Sequence, residues 1–138
     1  MEFTRRQTML VGFAAAAAAA LPMRAAAAAE EAIAAFTGGA EPAMSGVTLT
    51  APEIAENGNT VPIEVSAPGA ASIAVFALGN PLPAVATFNF GPLAASQSAS
   101  TRIRLAKTQE VVAVAKMADG SFVMDRKEVK VTIGGCGG

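Results

Sequence analysis

The 138-residue chain carries one thiol, Cys136, within the run Gly134-Gly135-Cys136-Gly137-Gly138. A thiolate is a nucleophile, the reactive form of this side chain. The four glycines remove every other side chain from the run, leaving backbone that is thin and conformationally free. A buried, inert cysteine needs apolar neighbours, and none follows Cys136. The pattern therefore predicts a thiol on a bare, flexible arm, residues 134–138, beginning directly after an alternating segment that ends at Ile133. Prenylation needs three residues after the cysteine, and two follow here. An incidental thiol on such an arm would be a liability in an oxidising compartment.

The rest of the composition limits what this thiol does. The chain has no His, Trp or Tyr. A Ser-His-Asp triad, a Cys-His dyad and a His-ligated zinc site therefore cannot be built within it. One cysteine excludes an internal disulfide and a CxxC pair. A catalytic cysteine needs a cation, a histidine or a helix N-terminus to depress its pKa. The nearest cation in sequence is Lys130, on a predicted strand. Cys136 thus supplies a reactive atom without its own activation, which suits a carrier better than a peroxidase or reductase. From Ile133 the arm reaches about 10 Å. The formal net charge of −1 lacks the cation cluster that nucleic-acid binding requires.

Residues 1–29 have the pattern of an export leader, removed from the mature chain. Thr4-Arg5-Arg6-Gln7-Thr8-Met9-Leu10 gives the charged start, Val11 to Leu21 an uncharged apolar run, and Ala25 to Ala29 small-residue cleavage sites. The run is too short for a bilayer core, which needs about 20 residues, so no stable membrane association is expected. The paired arginines resemble a twin-arginine signal, which implies export to a bacterial periplasm. Loss of Arg5, Arg6, Arg24 and Glu2 leaves seven basic and ten acidic side chains, a net of −3.

Residues 30–133 form the domain that positions the arm. Glu30 to Phe36 predicts a short helix, with acidic residues at its start, Ile33 and Phe36 on one face, and Gly38-Gly39 ending it. The remainder predicts about seven strands. Val47–Thr50 alternates. Asn57-Gly58 marks a turn. Val61–Val65 contains Pro62, which predicts an edge strand or a bulge. Ser72–Leu78 is a buried run, followed by the loop Gly79-Asn80-Pro81-Leu82-Pro83. Ala84–Phe90 places Phe88 and Phe90 on one face, as core residues. Ser100–Leu105 has a strict period of two, putting Arg102 and Arg104 on a solvated face; with Lys107 they are also candidates for docking an acidic partner. Glu110–Met117 is apolar on both faces and predicts a central strand. Asp119-Gly120 is a hairpin signal, and Ser121–Ile133 the last strand or strand pair. This spacing predicts an all-β, immunoglobulin-like β-sandwich with a short N-terminal helix and a C-terminal Gly-Gly-Cys-Gly-Gly arm. A small β-barrel is the second choice.

The terminal Val131-Thr132-Ile133-Gly134-Gly135-Cys136-Gly137-Gly138 resembles the end of the SoxY family, the sulfur-carrier subunits of the periplasmic thiosulfate-oxidising (Sox) system. The leader, Glu30-Glu31-Ala32-Ile33, Phe36-Thr37-Gly38-Gly39, Pro52 to Gly58, Ser100 to Leu105 and Val111 to Ala115 are similar to the same family. Ser66 to Leu78 is shorter than the family pattern. The resemblance implies a non-enzymatic carrier with no cofactor, holding sulfur intermediates on Cys136. It implies a heterodimer with SoxZ. It further implies that the haem enzyme SoxAX couples thiosulfate to the thiol, SoxB hydrolyses sulfate from it, and SoxCD oxidises the remaining persulfide in some pathways. The alternative from composition alone is an exported immunoglobulin-like structural or interaction subunit with no carrier role.

Overall fold

The computed structural model describes residues 27–132. Helix α1 covers 27–37 of these, longer at its start than the predicted 30–36. Alanine is the strongest helix former, so the alanines before Glu30 carry the helix on, and Ala29 is buried. Gly38 and Gly39 end it as expected, with φ of 66° and 88°. Gly39 N–H donates back to the Ala34 carbonyl at 3.2 Å, which satisfies one of the open carbonyls of the last turn.

Eight strands follow: β1 (Thr48–Thr50), β2 (Ile54–Ala55), β3 (Val61–Ser66), β4 (Ala70–Ala77), β5 (Ala84–Asn89), β6 (Ser98–Ile103), β7 (Gln109–Met117) and β8 (Phe122–Val131). They form two sheets, ordered β1-β3-β6 and β2-β8-β7-β4-β5. The pairings are antiparallel except β2 with β8. The predicted last strand or strand pair is one ten-residue strand. The strand count exceeds the expected seven because two-residue β2 gives no alternation signal. The β7–β8 hairpin turns where Asp119-Gly120 placed it: Gly120 has φ 87°, and Asp119 Oδ1 accepts from Ser121 N at 2.9 Å and Oγ at 2.6 Å.

The edge assignment drawn from Pro62 is corrected, because β3 is the middle strand of the small sheet. Ala67 N–H donates to the Gln97 carbonyl at 2.9 Å, so the odd residues of β3 turn their N–H groups toward β6. The N–H that Pro62 lacks belongs on the β1 side, and β1 already ends opposite Glu64. The proline thus occupies a locally open position on a central strand.

Side-chain alternation builds two cores. Leu49, Val61, Ile63, Val65 and Ile103 from the small sheet, with Leu105 just past β6, meet Ile73, Val75, Val111, Ala113, Ala115 and Val129 from the large one. Phe88 and Phe90 are half-buried against this core, as expected. The even residues Ala74, Phe76, Val112, Val114 and Met124 point the other way, beneath Ile33 and Phe36 of α1. Phe36 packs edge-on against Phe76 and Phe122, with centroids 6.3 and 5.9 Å away. β7 is apolar on both faces, and central as predicted, because one face meets the second sheet and the other the helix. Among the described residues no helix is long and apolar enough to cross a membrane.

Candidate functional site

Cys136 and its flanking Gly134, Gly135, Gly137 and Gly138 lie outside the described residues, as do Ile133 and residues 1–26. What the structure places is the end of β8, from which the predicted arm would start. β8 ends at Val131, and its last residues are held from both sides. On one side Lys130 N–H donates to the Glu53 carbonyl at 2.9 Å and Thr132 N–H to the Ala55 carbonyl at 3.1 Å. On the other side the β7–β8 ladder stops at the pair Gln109–Val129. There the Thr108 hydroxyl takes over: it accepts from Val131 N–H at 2.9 Å and lies 3.5 Å from the Val131 carbonyl. The backbone N–H groups of three successive residues, 130 to 132, are therefore all engaged. Cys136 is four residues beyond Thr132, so its reach from that root is at most about 14 Å.

β7 leaves the ladder at this point because a polar cluster draws segment 104–109 toward the β4–β5 turn. Asn80 Oδ1 accepts from Ala106 N–H at 3.0 Å and Gln109 Nε2 at 2.9 Å. Asn80 Nδ2 donates to the Arg104 carbonyl at 2.7 Å. Gln109 Nε2 also donates to the Lys107 carbonyl at 2.9 Å, and Gln109 Oε1 accepts from Gly79 N–H at 2.8 Å. Both side chains are buried, and no buried side-chain nitrogen or oxygen among the described residues lacks a partner. Backbone N–H can only donate, so the bonds from Ala106 and Gly79 fix the orientation of both amides. Sequence reasoning missed Asn80, Thr108 and Gln109. The one local signal was an asparagine inside the loop Gly79 to Pro83, a residue type that bonds backbone in turns.

Arg102, Arg104 and Lys107 are exposed, as the alternation required. They do not form one patch. Arg102 lines a groove of about 620 Å³ on the small sheet, with Thr50, Pro62 and Glu64. Arg104 and Lys107 sit on the segment held by Asn80 and Gln109, at the end of the sandwich where β8 finishes. A shallow pocket of about 380 Å³, lined by Glu53, Ile54, Glu128 and Lys130, flanks the arm root. Among the described residues no three His, Cys, Asp or Glu side chains gather as metal ligands would.

Residues 33–136 match the family described as sulfur oxidation protein SoxY. The match takes in both the sandwich and the lone cysteine. Among solved structures, the sulfur carrier protein SoxY from Chlorobium limicola f thiosulfatophilum is similar with a TM-score of 0.68 and 38% identity, over 78% of this chain and 94% of that one. A superoxide reductase (neelaredoxin) from Ignicoccus hospitalis has a TM-score of 0.55 at 20% identity, over 63% of this chain and 80% of its own. A putative superoxide reductase from Thermotoga maritima has 0.53 at 17%, over 71% and 91%. These last two share the fold alone. Comparison with curated protein sequences gave no match. A family match that covers the domain and continues through its single thiol, joined to a near full-length structural likeness at 38% identity, places this chain in the SoxY family of sulfur oxidation proteins.

Proposed function

We propose that the protein is a covalent carrier of sulfur intermediates in thiosulfate oxidation, and that Cys136 is the attachment site. The observation that supports this best is the extent of the family match, which runs to residue 136, the only thiol in the chain. The firmly held root beside Thr108 and β2 agrees with it, because a carrier needs a fixed domain from which to present a reactive atom.

The chemistry divides between this chain and others. In the loading step the Cys136 thiolate and thiosulfate form an S–S bond and release two electrons to an external acceptor, giving a cysteine S-thiosulfonate. Water then cleaves the terminal sulfone, releasing sulfate and two protons and leaving a persulfide on Cys136. The acceptor and the hydrolytic machinery belong to partners; this chain contributes the sulfur atom and its presentation. In the Sox scheme those partners are SoxAX for loading, SoxB for hydrolysis and SoxCD for persulfide oxidation, with SoxZ as the heterodimer subunit. Residues 1–29 act as a twin-arginine leader, whose end overlaps the first residues of α1, residues 30–133 as the carrier domain and residues 134–138 as the arm, and the mature protein works in the periplasm.

The test is the intact mass of protein isolated from cells grown on thiosulfate, beside a Cys136→Ser variant. Thiosulfonate or persulfide additions on the wild type, absent from the variant, are expected, with unfolding of the two proteins superimposable. A wild-type protein that stays a free thiol throughout turnover overturns the carrier reading.

A further inference from the structure

Four large apolar side chains among the described residues are exposed: Met44, Ile54, Leu82 and Leu93. Their places in the fold differ. Leu93 follows the C-terminal end of β5, at the opposite end of the sandwich from Thr132. Leu82 lies in the β4–β5 turn, at the end where β8 finishes and the arm begins. It is 81% exposed. The turn that carries it is fixed at several points. Pro81 and Pro83 fix φ on both sides of Leu82. The Pro83 carbonyl accepts from Ala77 N–H at 2.8 Å, and Asn80 N–H donates to the Ala77 carbonyl at 3.2 Å. The Asn80 and Gln109 side chains then tie this turn to the segment carrying Arg104 and Lys107. The contacts that fix the turn serve the fold, and they leave Leu82 itself displayed on a backbone of fixed shape. This lowers the entropy lost when a partner covers the side chain.

We propose that Leu82 is a preorganised anchor for the enzyme that acts on the sulfur held by Cys136, with Lys107 and Arg104 as its cationic flank. This rests on the carrier reading above. The geometry commits the partner. Cys136 stays within about 14 Å of Thr132, so an enzyme whose active site receives the sulfur must sit over this end of the sandwich. Leu82 is about two and a half strand spacings from β8, roughly 12 Å. A contact of ordinary size, about 800 Å² per partner and roughly 30 Å across, then covers it. The matching surface on the enzyme is an apolar hollow for Leu82 bordered by carboxylates for Lys107 and Arg104. The arm supplies the reacting atom; Leu82 and its flank supply affinity and orientation.

The experiment uses the full carrier charged with tetrathionate, whose attack by the thiolate gives the S-thiosulfonate and releases thiosulfate. Purified sulfate-releasing hydrolase of the same pathway is the probe, and KM and kcat for the carrier are measured separately. Leu82→Asp is expected to raise KM tenfold or more with kcat little changed, while Leu82→Met stays near wild type. Lys107→Glu is expected to raise KM at low salt and to lose that effect at high salt. Iodoacetamide labelling of Cys136 and the melting temperature serve as controls and should not move. A KM for Leu82→Asp within twofold of wild type overturns the anchor. A change in the oligomeric state of Leu82→Asp, measured by sedimentation, also overturns it, by showing that Leu82 is covered by a subunit contact instead. Failure of the charged wild-type carrier to be turned over at all overturns the carrier reading itself, and the anchor with it.

Discussion

Replacing Asn80 by alanine removes three hydrogen bonds at once: those to the Arg104 carbonyl, from Ala106 N–H and from Gln109 Nε2. Gln109 Nε2 keeps the Lys107 carbonyl, so its loss is partial. The Arg104 and Ala106 backbone groups lose the Asn80 partner and sit in a part-buried setting. A buried polar group left unpaired costs about 1–3 kcal/mol, less where water can enter. Two such groups give a destabilisation of about 2–4 kcal/mol. For a domain of this size each kcal/mol lowers the melting temperature by about 4–8 °C, so a fall of roughly 10–25 °C is expected. Urea unfolding with an unchanged m-value is the measurement.

Asn80→Asp separates lost contacts from altered charge. It puts an acceptor oxygen where Nδ2 stood, 2.7 Å from the Arg104 carbonyl. Two acceptors face each other, so the ionised form is disfavoured in the folded state and the folded pKa rises above the unfolded value of about 3.9. The protonated form donates as the amide did. The stability deficit relative to wild type should therefore be largest near neutral pH. It should shrink as pH falls through the raised folded pKa, and level off below the unfolded one. A loss under about 0.5 kcal/mol for the alanine variant, or a deficit for the aspartate variant that does not vary with pH, would refute this account of the cluster.

Two further outcomes test the turns. A Cβ at Gly79 would lie 3.0 Å from Gln109 Cβ and 3.0 Å from Lys107 Cε; the lysine can move but the first atoms of Gln109 cannot, so Gly79→Ala should cost about 1–3 kcal/mol in the same unfolding assay, and an unchanged midpoint would contradict the packing. The Asp119 carboxyl is held below the ordinary aspartate range by its hydrogen bonds from Ser121, the side-chain hydroxyl first; Ser121→Ala should raise it in an NMR titration, and because the folded pKa is depressed, this contribution to stability is present above the unfolded pKa and lost as pH falls through the folded one.

The local features of the fold were legible in the sequence because their causes are local. Period two along Ser100 to Leu105 buries Ile103 and Leu105 and exposes Arg102 and Arg104. Gly38, Gly39 and Gly120 sit at positive φ where the helix stop and the hairpin were expected. The central place of β7 followed from its two apolar faces, although not that α1 would cover one of them. Pro62 misled because a missing N–H reports only one side of a strand, and that side is open here only because β1 is short. Phe88 and Phe90 were readable as core from spacing alone.

The candidate attachment group was picked out by the sequence by itself. One cysteine among glycines, in a chain with no histidine, restricts the options whatever the fold. The fixing of the β8 end that precedes it depends on residues far apart in the chain. Thr108 meets Val131 across 23 positions, and Gln109 meets Asn80 across 29. No local preference encodes either pair, since each forms only once β7 has paired with β8 on one side and β4 on the other and brought their ends together. The same holds for Leu82. In the sequence it is a leucine between two prolines in a loop; only the antiparallel order β8-β7-β4, which brings the end of β4 beside the end of β8, puts it at the end of the sandwich from which the chain runs on toward Cys136.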